Sequence, residues 1–348
     1  MNKLKISIIE PIFDNGGLLI YDYGVCFGLA SNNVNVNFYT SEESNKIPEI
    51  KNLVVQRVFK NVYNKNYNKI IRGIYFLRGL FKITKDLYSK KPDIIYTHLF
   101  TYSFQELVLV FFLKLQNRKI ILNIHDPISL GNRSNTFIRK LFIKIIDRSN
   151  FYIFTHTQIS RTILRKQLPN KKIGLMPHSD LDILFNKNFE KDKLYKTLNL
   201  EPNTKFVLFF GQIKASKGVD LLLKAWSKIS GIHKNYKLLI VGRKWQNDSI
   251  NYHNLINDEN ISDSVIWIEE YIPNEKVPLY FKISDLVVLP YLRLYSSGVL
   301  LRALGYRMPI VCSDIEAFSE VVNERVCRFF KSNDVKSLSN AINDMIVL

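Results

Sequence analysis

Cysteine is scarce in this 348-residue chain: Cys26, Cys312 and Cys327 lie far apart, with no CxxC and no Cys/His pairing. That pattern excludes a disulfide framework and a thiolate zinc site, and it fits a reducing compartment. Long apolar runs are also missing. The longest uncharged one, Leu107 to Leu113, falls far short of the roughly 18 residues a membrane-crossing helix needs. The opening MNKLKISII is broken by Glu10 and Pro11, so it is too short for a signal-peptide core and has no small-residue cleavage site. No GxGxxG follows the first apolar run, where the first glycines are Gly16 and Gly17, and no GxxxxGK[ST] occurs anywhere. The first absence argues against a nicotinamide or flavin enzyme and the second against a P-loop nucleotidase.

What the chain does have is length, apolar content and an uneven positive charge. Its length suggests two domains of ordinary size, and 47% hydrophobic residues mark it as globular. The formal net charge is +18, but residues 1–200 carry 31 Lys+Arg against 15 Asp+Glu, and residues 201–348 only 18 against 16. Residues 51–150 alone hold 19 basic and 5 acidic side chains. Within them, Ile70–Lys85 and Phe137–Asp147 place apolar residues on one helical stripe and Lys/Arg on the other. Two readings stay open: a solvated helix face, or attraction to an anionic surface, lipid or nucleic acid.

Short apolar runs alternate with longer amphipathic ones, the pattern of parallel sheets flanked by helices. Seven strand candidates fall in the first half: KISIIE, VNVNFYT, NLVVQRV, DIIYTHL, KIILNIH, FYIFTHT and KIGLMP. The pattern restarts with KFVLFFG, KLLIVG, SVIWIEE, DLVVLPY and PIVCSD, after a polar stretch over about residues 180–204. The sequence thus divides into two doubly wound α/β domains, 1–182 and 183–348. In such sheets ligands sit at the carboxyl ends of strands, which directs attention to the residues just after each run.

In the second domain, Phe209–Trp226 (FFGQIKASKGVDLLLKAW) reads as a buried strand, a loop and a helix entered through Lys217-Gly218. The glycine lets a phosphate approach the backbone and the lysine supplies charge to it. LLIVGRKW follows, and then the long segment Val265–Val322, which contains Tyr295-Ser296-Ser297-Gly298-Val299 at the start of a helix. Unpaired amides at that helix start, with serine hydroxyls beside them, suit a diphosphate, and a serine there also serves as a cap. Over residues 206–322 this block resembles the family 4 glycosyltransferases, of the glycosyl transferases group 1 type.

The resemblance implies the GT-B architecture, two Rossmann-like domains facing a cleft. It also implies transfer of a sugar from a nucleoside diphosphate with retention of configuration, without a metal or other cofactor and without a protein nucleophile. Donor-binding positions carried over are Gly211, Gln212, Lys217, Tyr271, Ile272, Ser296, Ser297, Gly298 and Val299, with Lys217 neutralising the departing diphosphate. The first domain is similar more loosely, through Asn15-Gly16-Gly17, the run around His98, and His125-Asp126-Pro127. Gly16 and Gly17 read as an acceptor-side loop and His125 as the active-site histidine, whereas His98 and His156 read as structural.

Two departures from the family pattern matter. Leu294 and Arg302 stand where many relatives carry a glutamate pair, and Gln212 stands where an arginine is common. A variant donor site accounts for both. Asp180-Leu181-Asp182 matches the Asp-x-Asp of metal-dependent transferases in letters, but its place in the linker makes it a decoy. The expected partners are a nucleotide-sugar donor, a glycan or lipid-linked acceptor and, through the basic first domain, an anionic membrane on its cytoplasmic face. No nucleic acid is expected. Rival readings are a nucleotide-sugar epimerase of the same architecture, which would want more acid/base groups around the sugar, and a basic nucleic-acid-binding protein.

Overall fold

A computed structural model of the protein describes residues 3–11, 18–41, 50–64, 66–100, 102–128, 136–178 and 204–348. The chain divides into two compact units, Met1–Ser179 and Asp180–Leu348, each with its own parallel sheet. Gly16, Gly17, Asp180, Asp182 and the 182/183 boundary lie outside the described residues.

In the first unit all seven apolar segments are strands: β1 (Lys5–Ile9), β2 (Asn35–Ser41), β3 (Leu53–Phe59), β4 (Ile94–Leu99), β5 (Lys119–Ile124), β6 (Tyr152–Thr155) and β7 (Ile173–Leu175). They pair in parallel in the order β3-β2-β1-β4-β5-β6-β7. Helices α1 (Leu18–Ser31), α2 (Lys69–Lys90), α3 (Phe104–Lys114), α4 (Thr136–Asp147) and α5 (Gln158–Gln167) lie in the connections β1 to β2, β3 to β4, β4 to β5, β5 to β6 and β6 to β7. Local chemistry fixes their ends. The Asn68 side chain accepts from the Ile71 amide to start α2, and Ser103 with Glu106 forms a capping box on α3, which removes orphan donors at both starts.

Helix α2 departs from the two-faced pattern read in its sequence. Phe76, Leu80, Ile83 and Leu87 form the buried stripe, but Ile70, Ile74, Leu77, Phe81 and Tyr88 are exposed, Ile70 by 77% and Phe81 by 63%. Their spacing of three, four and seven residues lines them along a second face, interleaved with Lys69, Arg78, Lys82 and Lys85. Phe81 is therefore not a core residue, whereas Phe142 of α4 is fully buried.

The second unit pairs β8 (Lys205–Phe210), β9 (Tyr236–Val241), β10 (Val265–Ile268), β11 (Leu286–Leu289), β12 (Ile310–Ser313) and β13 (Arg328–Phe330) in the order β10-β9-β8-β11-β12-β13. Its helices are α6 (Val219–Ser227), α7 (Tyr252–Asp258), α8 (Val277–Ile283), α9 (Gly298–Gly305), α10 (Glu316–Ser319) and α11 (Val335–Val347). The five expected strands are present; β13, three residues at the sheet edge, carries too little pattern to be read from sequence. Strands β8 and β9 bury nearly every side chain, the signature of parallel strands covered on both faces. Each fully buried aliphatic or phenyl side chain there contributes about 1.5–3 kcal/mol. In each sheet the chain winds outward one way and then returns to wind the other. The crossover points lie between β1 and β4, and between β8 and β11. Those are the positions where an open parallel sheet leaves a crevice at its strand ends.

Candidate active site

At the switch point of the second sheet, the chain after β8 meets the chain after β11. Gly211 directly follows β8, with a φ of +120° that is open to glycine; a Cβ there would face the Val299 side chain at 3.5 Å. A single 3-10 turn, Ala215–Lys217, then leads through Gly218 into α6. Gly218 has φ +64°, and a Cβ on it would lie 2.0 Å from the Pro290 carbonyl oxygen, so only glycine lets this loop close on the segment after β11. The Leu292 amide donates to the Ser216 carbonyl at 3.0 Å, which ties the two segments together. That packing sets Lys217 Nζ 3.5 Å from the centroid of the Tyr291 ring, a cation–π contact.

On the other side of the crevice, Ser297 caps α9 by accepting from the Leu300 amide at 3.2 Å. The first-turn amides of Gly298 and Val299 have no acceptor within the helix. The buried Tyr291 hydroxyl lies toward Ser297 without reaching hydrogen-bond geometry; burial raises its pKa and Ser297 opposes the rise. An ammonium, glycine backbone and a helix N-terminus therefore converge on one crevice, the donor set that an anionic diphosphate requires.

The other donor-side candidates fall nearby or at one remove. Gln212 is half-buried directly after Gly211. Ser296 is half-buried just ahead of the cap. Tyr271 and Ile272 follow the edge strand β10, and the Ile272 side chain belongs to the core, which leaves backbone as the part it can offer a ligand. Arg302, at a position where the family resemblance implies a carboxylate, is only 5% exposed, and its Nη2 donates to Asn274 Oδ1 at 3.4 Å. It thus joins α9 to the turn that follows Ile272, a link the sequence does not announce. Gly242, after β9, has φ +151°, and a Cβ there would lie 1.7 Å from the Gly211 carbonyl oxygen.

The first sheet carries a different kind of site. His125 stands directly after β5, at a strand's carboxyl end as its sequence context suggests, but it is 6% exposed and surrounded by other histidines. His98 lies within β4, His156 directly follows β6 and His178 lies three residues past β7. His98 Nδ1 is 2.9 Å from His125 Nε2, and His156 Nε2 is 3.4 Å from the same atom. His98 Nε2 lies 2.5 Å from Asp22 Oδ1, a close contact without hydrogen-bond geometry. His156 Nδ1 is 2.8 Å from the Met176 carbonyl, so it carries the proton and Nε2 the lone pair. Asn123 Nδ2 reaches His156 Nε2 at 3.1 Å, and the hydroxyls of Tyr21 and Tyr96 at 3.1 and 3.2 Å.

Burial, and then the neighbouring His156, His98 and His178, hold the His125 pKa well below the usual imidazole range. Burial and His178 bring His156 down to about 3, against the opposing Met176 carbonyl. Both rings are neutral at pH 7. His98 and His156 are thus hydrogen-bonded structural histidines in one sense, yet they belong to the same polar centre as His125. Asp22, Asn123 and His178 were not singled out in the sequence. The available signal is repetition: THL, NIH, FTH and MPH each carry a histidine at the last residues of a strand segment or within three residues after it.

Two doubly wound units, one holding an anion-type crevice at its switch point, define the GT-B class of architecture. The first unit matches the Glycosyltransferase Family 4 model over residues 15–179, and the second matches the Glycosyl transferases group 1 model over residues 190–347. The chain belongs to this glycosyltransferase family. Among curated proteins it is similar to the lipopolysaccharide core biosynthesis mannosyltransferase LpsB of Rhizobium meliloti, 25% identical over 45% of this chain and 46% of that protein. It is also similar to a lipopolysaccharide 1,2-N-acetylglucosaminetransferase of Salmonella typhimurium, 24% identical over 40% of this chain and 37% of the relative. The matches thus span less than half the length of these relatives. Sucrose-phosphate synthase from Thermosynechococcus elongatus shares the fold at a TM-score of 0.73 and 16% identity, covering 99% of this chain and 90% of that one. Anabaena HepE, solved in complex with UDP-glucose, does so at 0.70 and 16%, with the same coverage.

Proposed function

We propose that the protein is a retaining, metal-independent glycosyltransferase that moves a sugar from a nucleoside diphosphate to a glycan or lipid-linked acceptor, in synthesis of a surface polysaccharide or glycolipid. The observation that carries this reading is the convergence of Gly211, Lys217 and the Ser297-Gly298 helix start at the β8/β11 switch point. In the transition state negative charge builds on the leaving diphosphate, and fixed N–H dipoles with one ammonium stabilise it there without a divalent ion. The lipopolysaccharide transferases among the relatives support the acceptor class. The test is acceptor-dependent release of a nucleoside diphosphate in excess EDTA, with NMR of the product anomer. Activity that vanishes in EDTA and returns with manganese would overturn the metal-free reading and promote Asp180 and Asp182 to ligands. Formation of an epimer without nucleotide release would make the protein an epimerase instead.

The same reading includes reversible docking on an anionic membrane surface through the first unit. No helix among the described residues is long and apolar enough to cross a bilayer. The exposed face of α2 offers Ile70, Ile74, Leu77 and Phe81 among basic side chains, with Lys85 Nζ 4.9 Å from the Phe81 ring centroid. Apolar insertion rimmed by cations is the chemistry of interfacial helices, and each Lys or Arg near an anionic leaflet adds about 1 kcal/mol. Co-sedimentation with anionic and neutral vesicles at low and high salt tests it. Equal, negligible binding to both would refute docking.

A further inference from the structure

Four of the six histidines in the chain, His98, His125, His156 and His178, sit at the carboxyl ends of β4, β5, β6 and β7, four consecutive neighbours in one sheet. Parallel strands lie about 4.8 Å apart, so one histidine per strand end sets the imidazoles at near-contact spacing. Ring centroids are 4.4 Å apart for His125 and His156, 4.7 Å for His156 and His178, and 6.0 Å for His125 and His178. One nitrogen from each of His125, His156 and His178 lies within 4.8 Å of the others. A hydrogen-bonded structural cluster has one donor for each acceptor; this centre does not. Asn123 Oδ1 and both Asp22 carboxylate oxygens are buried without hydrogen-bond geometry, His98 Nε2 lying 2.5 Å from Asp22 Oδ1, so acceptors outnumber well-placed donors.

From this arrangement we infer that His125, His156 and His178 form a binding site for a borderline transition-metal cation of the zinc type. The distances fit. A zinc–nitrogen bond of about 2.0–2.1 Å in tetrahedral geometry sets ligand nitrogens about 3.4 Å apart, and the Nε2 atoms of His125 and His156 are 3.4 Å apart. The protonation fits as well, because the Met176 carbonyl holds the proton of His156 on Nδ1 and turns the Nε2 lone pair inward, where it accepts from Asn123 Nδ2 until an ion displaces that donor. A backbone carbonyl on the remote nitrogen is how metal-binding histidines are oriented. At His125 the ion takes the Nε2 lone pair and the ring proton resides on Nδ1, which breaks the contact with His98 Nδ1. An all-imidazole set selects zinc, copper, nickel or cobalt over magnesium and manganese, so this site is separate in kind from any diphosphate-bound metal. If His125 is the active-site histidine that the family resemblance implies, occupancy withdraws it and inhibits transfer; that clause alone rests on the functional reading.

The experiment titrates the chelator-treated full chain with Zn²⁺ against a chromophoric competitor and records the visible absorption of the Co²⁺ form. One equivalent per chain and a tetrahedral cobalt spectrum are expected. His156→Ala and His178→Ala should each weaken binding at least about tenfold. His233→Ala, in the second unit and bonded to Asn343 Oδ1 at 2.8 Å, should leave it unchanged. Circular dichroism checks each fold, and the wild-type cobalt spectrum needs no variant. Absence of a stoichiometric site in the wild type, or equal binding by a His156→Ala/His178→Ala double variant, overturns the metal site. Stoichiometric zinc binding with undiminished transfer activity overturns only the inhibitory clause.

Discussion

The two sheets share a winding but place their chemistry differently. In the second unit the crevice is made by backbone: glycines with positive φ, a helix N-terminus and one lysine. In the first it is made by side chains, four histidines delivered by four strands and enclosed by Tyr21, Asp22, Tyr96 and Asn123. A backbone site leaves a local sequence signature, because only glycine satisfies it. A side-chain site assembled across strands leaves only widely spaced letters.

Breaking the backbone site should have the largest effect. Gly242→Ala places a methyl 1.7 Å from the Gly211 carbonyl at a φ that alanine avoids, so the second unit should lose more than about 4 kcal/mol, read by calorimetry. Lys217→Ala removes the ammonium from the same crevice and should lower kcat/KM by about 100- to 1,000-fold, or 2.7–4 kcal/mol, with little change in the melting temperature. A fall of less than fivefold would detach Lys217 from the leaving group.

The side-chain site should show itself in acid. His125 and His156 are held neutral in the fold with depressed pKa values, His156 at about 3, while the unfolded chain protonates them near 6.5. Between those values the unfolded state binds more protons, so stability is present above the unfolded pKa and is lost as pH falls from about 6.5 toward 3. The slope is about 1.4 kcal/mol per pH unit for each such histidine. Denaturant titrations in chelator from pH 7.5 to 4.5 measure it, and His156→Gln should remove about one proton from the slope.

Smaller effects sharpen the contrast in surface character. Replacing Leu77 and Phe81 by serine should weaken anionic-vesicle binding by about tenfold or more with stability nearly unchanged, since both side chains are exposed. Arg328→Ala in the second unit breaks an ion pair with Asp344 at 2.7 Å whose side chains are 56% and 44% exposed. It should shift stability by less than about 0.5 kcal/mol.

These contrasts explain how far the sequence could be read. Twelve of the thirteen strands follow from apolar runs bounded by polar segments, and β13 escapes because Arg328–Phe330 is too short to show a period. The places of Gly211, Lys217 and Ser297-Gly298 at strand ends and a helix start were legible because turn chemistry is local. The company His125 keeps was not, because β4 to β7 are separated by helices and only sheet order makes His98, His156 and His178 its neighbours. Helix α2 misled for a related reason: its periodicity announces one buried stripe, and nothing local tells which apolar residues remain outside it.

The lysine resting on Tyr291 bears on how the crevice waits for its ligand. Lys217 is half-buried, and an ammonium losing water there needs compensation for the lost hydration. The π face gives it a soft, uncharged placeholder that competes weakly with oxygen anions. Under the proposed function, a diphosphate would meet a cation already placed over an aromatic ring at the β8/β11 switch point.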